Sequence, residues 1–292
     1  MLADSTNVLR TKIDPGLNFM DISETSNQVA SAAKAKELLG LNLHGIALGN
    51  EPDLYDRPGY MKRPKPYTFE QYMNKWGGVA SALTTNRGYS NHRMLMGPST
   101  CCESRNPDRN NLALASAGYL QGFANELKIV TVHRYPGNNC QIGSVRDVFP
   151  VYLSHDLLSQ HAAGHAEFCR VVQEAGKPLF LSKANATACG GFPGISDAFG
   201  AGLWAVDWAL KLATYNFSAT LFHLGGQGDY YNPFTPPPIN QSSSCQWTTG
   251  SVHYSALIVA ELFGKSGTSR IMDLNPNSGE NLTPGYVAYE DG

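Results

Sequence analysis

The segment PLFLSKANATACGGFPGISDAFGAGLWAVDWALKLA (Pro178–Ala213) joins a short apolar run to a longer, partly apolar run through a glycine-rich loop. The first run, Pro178–Ser182, has the length and composition of a buried β-strand. The second, Asp197–Ala213, follows Ser196 and is long enough for several helical turns. The segment therefore predicts a β-strand followed by an α-helix, which is the repeating unit of a parallel sheet covered by helices.

The same order of strand and helix recurs along the chain and gives six βα units. The predicted strands are Leu17–Ile22, His44–Leu48, Arg93–Gly97, Ile129–Val132, Pro178–Ser182 and Ala219–His223. The predicted helices are Glu24–Leu39, a helix from the Thr68–Gln71 capping box to about Leu83, Leu112–Leu127, Leu157–Ala175, Asp197–Ala213 and Tyr254–Phe263.

Two parallel architectures accommodate this order, a (β/α)8 barrel and a doubly wound sheet. The first predicted strand is not followed by a G-x-G-x-x-G turn, which favours the barrel. The predicted fold class is therefore α/β, of the (β/α)8 TIM-barrel type. After Gly264, the segments Ser269–Leu274 and Tyr286–Tyr289 have the pattern of strands without a helix between them, which predicts the start of a β region.

Composition excludes several classes of protein. Lys and Arg total 22 and Asp and Glu total 24, so the formal net charge of −2 offers no attraction for a nucleic-acid backbone. Apolar runs such as Ala256–Ala260 are far shorter than a bilayer requires. The 29 glycines and 17 prolines predict many turns and exclude a coiled coil. We expect neither a nucleic-acid nor a membrane partner.

Function in a barrel is concentrated at the carboxyl ends of the strands. The polar residues predicted there are Asp21, Asn50, Glu51, Asp53, Ser99, Glu103, His133, Tyr135, Lys183, Asn185, His223 and Asp229. The most specific motif among them is Asn50-Glu51-Pro52. Pro52 disfavours a right-handed helical conformation at Glu51 and ends the strand, so we expect a carboxyl at the barrel mouth beside an amide that can hold a ligand hydroxyl. A structural pair that caps the next segment is the alternative.

Several motifs together resemble glycoside hydrolase family 79, the β-glucuronidase and heparanase-like group. They are GNEPDLY (Gly49–Tyr55), VHRYPG (Val132–Gly137), ACGGFPGISDAFGAGLWAVDW (Ala188–Trp208), HLG (His223–Gly225) and the helix Tyr254–Gly264. The resemblance covers essentially the whole chain. It implies a retaining β-glucuronidase-type enzyme that acts on glucuronic-acid-containing glycans without a cofactor or a metal.

The resemblance also implies roles for particular residues. Glu51 corresponds to the acid/base, Asn50 to the residue that holds the 2-hydroxyl of the sugar, and Tyr135 to a residue that leans toward the nucleophile. His133, Asn185, His223 and Tyr231 complete the expected substrate-binding set. The loops after the last strands would hold the uronate carboxylate.

The sequence departs from the family at the nucleophile. The family places a glutamate two residues before the asparagine of the N-x-x-x-C-G-G stretch, where this chain has Lys183. A retaining glycosidase needs two carboxyl groups about 5–5.5 Å apart. A protonated lysine is no nucleophile, and its charge opposes the positive charge that develops on the sugar. The alternative to an active enzyme is therefore a catalytically inactive carbohydrate-binding relative.

Two other chemistries remain open at this site. Glu103 or Asp229 could replace the missing carboxylate if either lay about 6.5–9.5 Å from Glu51, the spacing of an inverting enzyme. A buried lysine at a strand end is also typical of Schiff-base barrels. The flanking residues are those of a glycosidase and favour neither.

Other candidates have simpler interpretations. His161 and His165 have the spacing of metal ligands on a helix but lack a third ligand, so a solvated helix face is expected. Trp204 and Trp208 are expected in the core. Asn185 begins a glycosylation sequon, as do Asn216, Asn240 and Asn281, but Asn185 follows Lys183 into the barrel mouth, so glycosylation there is not expected.

The extent and location of the chain give two further expectations. If Leu17–Ile22 is the third strand of the family, the barrel domain, residues 1–267, lacks its first two βα units. Residues 268–292 are expected to begin a C-terminal β-sandwich. The resemblance, the six cysteines and the sequons predict a secreted protein, although the first residues lack the apolar region of a signal peptide.

Overall fold

The computed structural model describes residues 11–19, 23–56, 66–86, 93–101, 110–139, 145–226, 228–237 and 246–290. Contacts within the chain divide it into two compact units. Unit 1 comprises residues 1–133 and 170–180, and unit 2 comprises residues 134–169 and 181–292. The predicted domain boundary at residue 267 stays a prediction.

Six strands form one sheet in the order β1-β2-β3-β4-β6-β8. Strands β1 to β4 pair in parallel. The described strands are β1 (Gly16–Leu17), β2 (Ile46–Leu48), β3 (Leu95–Cys101), β4 (Leu127–Arg134), β5 (Gly137–Asn138), β6 (Leu179–Ala184), β7 (Thr187–Ala188), β8 (Phe217–Phe222), β9 (Phe234–Thr235), β10 (Thr248–Thr249), β11 (Ser269–Asp273) and β12 (Tyr286–Glu290). The parallel α/β architecture is confirmed. The two strands predicted at the end of the chain are present as β11 and β12, which pair antiparallel.

Helices alternate with these strands. The described α-helices are α1 (Ser26–Leu39), α2 (Phe69–Thr85), α3 (Asn111–Ser116), α4 (Tyr119–Gly122), α5 (Val145–Tyr152), α6 (His155–Ala163), α7 (Ala166–Glu174), α8 (Phe199–Thr214) and α9 (Ser251–Phe263). The Thr68–Gln71 capping box is confirmed, because each side chain bonds to the other residue's backbone N–H.

Two predicted helices were too long. The predicted helix Leu112–Leu127 is two short helices, because Gly118 adopts φ 94 between them and strand β4 already begins at Leu127. The predicted helix Leu157–Ala175 divides at Gly164 and His165 into α6 and α7. The later part of the predicted strand Leu17–Ile22, like Glu103 and Asn240, lies outside the described residues.

An aromatic cluster forms the core of unit 1 behind β3. Trp76 of α2 packs against Phe123 with ring centroids 4.4 Å apart and against Tyr119 at 5.6 Å. Gly97 of β3 lies directly against this cluster. A Cβ atom at that position would lie 2.6 Å from the Tyr119 hydroxyl and 3.1 Å from Trp76 Nε1. The strand therefore needs glycine here.

We expect Gly97→Ala to lower the free energy of unfolding by about 2 kcal/mol, because packed rings surround the added methyl group. Gly78→Ala is the matched control, since its Cβ in helix α2 would meet nothing within 4 Å. That change should stabilise the chain by about 0.5–1 kcal/mol. Urea unfolding measures both, and equal effects would contradict the packing argument.

A polar cluster attaches the β11–β12 hairpin within unit 2. His155 Nδ1 lies 2.9 Å from Asp207 Oδ2, and its Nε2 lies 3.5 Å from Asp273 Oδ2. Lys211 Nζ lies 2.7 Å from Asp273 Oδ2, and the Tyr286 hydroxyl donates to Asp207. Burial and the charge of Asp207 raise the pKa of Tyr286 above its ordinary value. Residues on α6 and α8 thus hold both strands of the hairpin.

Burial tends to raise the pKa of Asp273, but hydrogen bonds from Lys211 and from the Asn275 backbone, with nearby positive charge, hold it below its usual value. The pair therefore adds stability above the ordinary carboxyl pKa of about 3.9, and this is lost as pH falls through the lower folded-state value.

We expect Lys211→Met to lower the free energy of unfolding by about 2 kcal/mol at pH 7, because it leaves the Asp273 carboxylate without its ammonium partner. The deficit should shrink as the pH is lowered below about 4. Urea unfolding at pH 7 and pH 3 measures both values. The control Lys34→Met breaks the exposed Lys34–Glu37 pair and should change stability by less than about 0.5 kcal/mol. A pH-independent deficit would contradict the ion-pair account.

Among the helices of the described ranges, none has both the length and the apolar character that crossing a bilayer requires.

Candidate active site

The carboxyl group of Glu51 is buried and held by a histidine. Glu51 follows β2 in a left-handed conformation (φ 53, ψ 58), outside the right-handed helical region but not in the extended conformation that a following proline favours. Only 7% of the residue is exposed, and Oε1 lies 3.0 Å from His133 Nδ1. His133 lies in β4 and is also buried. The two predicted site residues are thus brought together within unit 1.

Backbone contacts to β3 fix the Glu51 loop. The Glu51 N–H donates to the Ser99 carbonyl at 2.9 Å. The Asp53 carboxylate accepts the Cys101 N–H at 2.8 Å. Ser99, itself left-handed with φ 56, donates its N–H to Thr131 Oγ1 at 3.1 Å. Hydrogen bonds to β3 therefore fix the backbone of Glu51, and His133 holds its side-chain carboxyl.

Asn50 lies in a more exposed environment than Glu51. The residue is exposed, and its N–H donates to the Tyr55 hydroxyl at 3.2 Å. Tyr55 is 2% exposed and packs against Tyr67. The backbone of Asn50 is thus anchored to a buried ring.

Within unit 2, the ends of β6 and β8 carry the other predicted site residues. Lys183 is partly buried near the end of β6, and Asn185 follows it as a buried residue. Asn185 Nδ2 donates to the His223 carbonyl at 3.0 Å, and its Oδ1 accepts the Ala186 N–H at 2.8 Å. Both polar ends of this amide thus bind backbone groups, which join the two strand ends. Tyr135 is partly buried, directly after β4.

Tyr231 is held in a glycine-lined corner of unit 2. Its hydroxyl lies 2.8 Å from His223 Nδ1. Burial first, and then the charge of Asp229, raise its pKa to about 12, while a backbone hydrogen bond with Gly190 opposes them. Gly190 and Gly191 adopt φ 85 and 80, and a Cβ on Gly191 would lie 2.8 Å from the Tyr231 ring. This corner therefore depends on the Cys-Gly-Gly stretch.

Several simpler interpretations can now be compared with the structure. Trp204 and Trp208 are buried and stacked at 6.1 Å, as predicted. The expected solvated histidine face is wrong, because His165 is 1% exposed and packs edge-on against Phe217. Within the described residues no cluster of three or more His, Cys, Asp or Glu side chains could hold a metal.

Sequence reasoning missed a triad-like arrangement in the hairpin cluster. Ser159 Oγ lies 3.1 Å from His155 Nε2, and His155 Nδ1 contacts Asp207. His155 Nε2 also faces the carboxylate of Asp273, and Ser159 lies inside α6, where its N–H belongs to the helix. The cluster therefore has a structural role. The imidazole of His155 lies between two carboxylates, and the backbone N–H of Ser159 is used within the helix, so it cannot stabilise an oxyanion. The only trace of this arrangement in the sequence is the i, i+4 spacing of His155 and Ser159.

The described cysteines are in two different states. Cys101 and Cys189 are disulfide-bonded, whereas Cys169 is a buried thiol. Spacing alone gave no signal for this difference.

Comparison with known proteins gives a consistent relationship. A β-glucuronidase from Aspergillus niger is 25% identical over 276 residues, which covers 87% of this chain and 48% of that protein. A β-glucuronidase from Neurospora crassa is 25% identical over 65% of this chain and 35% of its own length. The chain is glycoside hydrolase family 79-like. It spans half or less of the length of these relatives. No protein-family model matches it.

Solved structures confirm the barrel-type fold. A 4-O-α-L-rhamnosyl-β-D-glucuronidase from Fusarium oxysporum aligns with a TM-score of 0.76 at 19% identity, over 99% of this chain and 57% of that one. An α-L-arabinofuranosidase from Thermotoga maritima aligns with a TM-score of 0.57 at 11% identity, over 98% of this chain and 58% of that one. The family 79-like assignment and the predicted fold class are both confirmed.

Proposed function

We propose that the chain carries the site of a β-glucuronidase-type glycoside hydrolase for glucuronic-acid-containing glycans, and that Lys183 suppresses its turnover. The observation that carries the proposal is Glu51, a buried carboxyl at the end of a parallel strand, held 3.0 Å from His133. A carboxyl at that place, with its backbone and side chain both fixed, suits proton transfer to a glycosidic oxygen.

Each predicted residue has a defined part in this proposal. Glu51 protonates the leaving oxygen, and His133 orients its carboxyl. Asn50 holds the 2-hydroxyl of the sugar, and Tyr135 leans toward the nucleophile position. Within the substrate-binding set, Asn185 is the residue that holds the β8 strand end in place, since its amide binds the His223 carbonyl. The reaction requires no cofactor and no metal.

The uronate carboxylate needs hydrogen-bond donors that carry no negative charge. Tyr231 meets this condition, because a tyrosine phenol is neutral and able to donate at neutral pH, and burial and the charge of Asp229 raise its pKa further. His223 supports it through the 2.8 Å contact. Asn185, His223 and Tyr231 therefore complete the proposed substrate-binding set.

Lys183 supports a second candidate function, an inactive relative that binds uronate-containing sugars. A retaining mechanism needs a carboxylate to attack the anomeric carbon, and an ammonium group cannot do so. The positive charge would also oppose the developing oxocarbenium ion. Binding, in contrast, can benefit from a cation near a uronate.

A chromogenic β-glucuronide assay combined with calorimetric titration of glucuronic acid separates the two functions. The proposed suppressed hydrolase gives slow turnover above that of a Glu51→Gln preparation, together with saturable binding. Binding with turnover equal to that of Glu51→Gln would establish the inactive relative instead. Absence of both would overturn the two proposals together.

We also propose that the protein is secreted. The disulfide bonds of Cys101 and Cys189 support an oxidising compartment. The resemblance to family 79 supports the same location.

A further inference from the structure

A glycosylation sequon occupies the exposed turn between α8 and β8. Asn216 is exposed and adopts φ 64, and Ser218, the third residue of the sequon, is also exposed. The intervening Phe217 is buried at 6% exposure, and the Asn216 N–H donates to the Ala213 carbonyl at 3.0 Å. The backbone of the turn is thus fixed while the side chains of Asn216 and Ser218 face solvent.

The other described sequons lack this combination. Asn185 is 2% exposed and its Nδ2, the atom that would bear the sugar, donates to the His223 carbonyl. A glycan there would break that bond and displace the end of β8. Asn281 is partly buried, and its Oδ1 accepts the Asp156 N–H at 2.8 Å and the Ser154 hydroxyl at 3.1 Å. Its amide therefore helps to begin helix α6.

The place of Asn216 also keeps a glycan away from the proposed site residues of unit 2. Asn216 immediately precedes β8, and His223 immediately follows it. A six-residue strand separates its two ends by about 20 Å. A glycan on Asn216 would thus lie at the amino end of β8, whereas the predicted site residues Asn185 and His223 lie at the carboxyl ends of their strands.

We propose that Asn216 carries an N-linked glycan. Nδ2 of Asn216 would form a bond to the anomeric carbon of a lipid-pyrophosphate-linked oligosaccharide, the carbon–oxygen bond to the pyrophosphate would break, and the lipid pyrophosphate would leave while Nδ2 loses one proton. The proposal rests on the oxidising compartment that the disulfides of Cys101 and Cys189 indicate. It does not depend on hydrolytic activity.

The test is to express the chain in yeast behind a cleavable secretion leader. The product is treated with peptide N-glycosidase in ¹⁸O-labelled water, which converts each glycosylated asparagine to labelled aspartate, and peptides are analysed by mass spectrometry. We expect the label on Asn216 in most molecules and none on Asn185. Ser218→Ala should remove the label from Asn216, and Ser218→Thr should keep it.

Ser218→Ala is preferable to Asn216→Gln as the main variant, because it leaves an asparagine in the left-handed position. If the chain stays inside the cell, the same measurement on the microsomal fraction replaces the secreted sample. Unlabelled Asn216 in a product whose disulfides have formed would overturn the proposal. This outcome does not concern turnover, so failure here is distinct from failure of the proposed hydrolase.

Discussion

Lys183→Glu is expected to raise the rate of β-glucuronide hydrolysis by at least about 10³-fold, because removing a catalytic nucleophile costs up to about 10⁶-fold in kcat. The substitution restores a carboxylate at the place where family 79 has its nucleophile and removes the cation that opposes the oxocarbenium-like transition state. The partly buried position of Lys183 near the end of β6 accepts a shorter side chain without displacing a core residue. Initial rates with 4-nitrophenyl β-glucuronide measure the gain.

Lys183→Gln is the matched control for this experiment. It removes the positive charge but supplies no nucleophile, so its rate should rise far less than that of Lys183→Glu. Trapping with a 2-fluoro glucuronide, which accumulates a covalent intermediate in retaining enzymes, should label Lys183→Glu and not Lys183→Gln. Equal rates in the two variants, or label on another residue, would show that position 183 is not the nucleophile position.

The order of elements was predictable because strand and helix patterns depend on local sequence. The Pro178–Ser182 run, the capping box at Thr68 and the final strand pair all appear where local rules place them. The errors arose where one residue interrupts an otherwise helical pattern, as Gly118 and Gly164 do. Hydrophobic periodicity continues across such residues, so the pattern alone does not show the break.

Sequence motifs supplied the candidate site residues but not their contacts. Asn50-Glu51-Pro52 indicated Glu51 as the candidate acid, but the contact of Glu51 with His133 joins residues 82 positions apart and carries no local signal. The anchoring of the loop by Ser99 and Thr131 is equally non-local. His165 shows the opposite error, since a polar residue predicted on a helix was assigned to solvent and instead packs against Phe217 of β8.

Glu51→Gln is expected to abolish most of the activity that Lys183→Glu restores. Loss of a general acid costs about 10²–10⁴-fold, and the loss depends on how much the leaving group needs a proton. With 4-nitrophenyl β-glucuronide, whose phenolate leaves readily, we expect a loss of about 10²-fold. With an alkyl β-glucuronide the loss should approach about 10⁴-fold. Steady-state kcat/KM for both substrates, in the Lys183→Glu background, provides the comparison.

The decisive result is a larger loss of kcat/KM with the alkyl substrate than with the 4-nitrophenyl substrate. A merely structural role of Glu51 would lower both values equally. Glu70→Gln is the matched control, since Glu70 is an exposed carboxyl in the first turn of α2. His133→Phe tests the positioning role, because it keeps the ring volume but removes the 3.0 Å contact to Oε1. Like Glu51→Gln, it should reduce kcat/KM more with the alkyl substrate than with the 4-nitrophenyl substrate, but by less. The carboxyl remains, although its orientation is no longer fixed. Equal losses on both substrates for Glu51→Gln would assign Glu51 to the loop structure instead of to proton transfer.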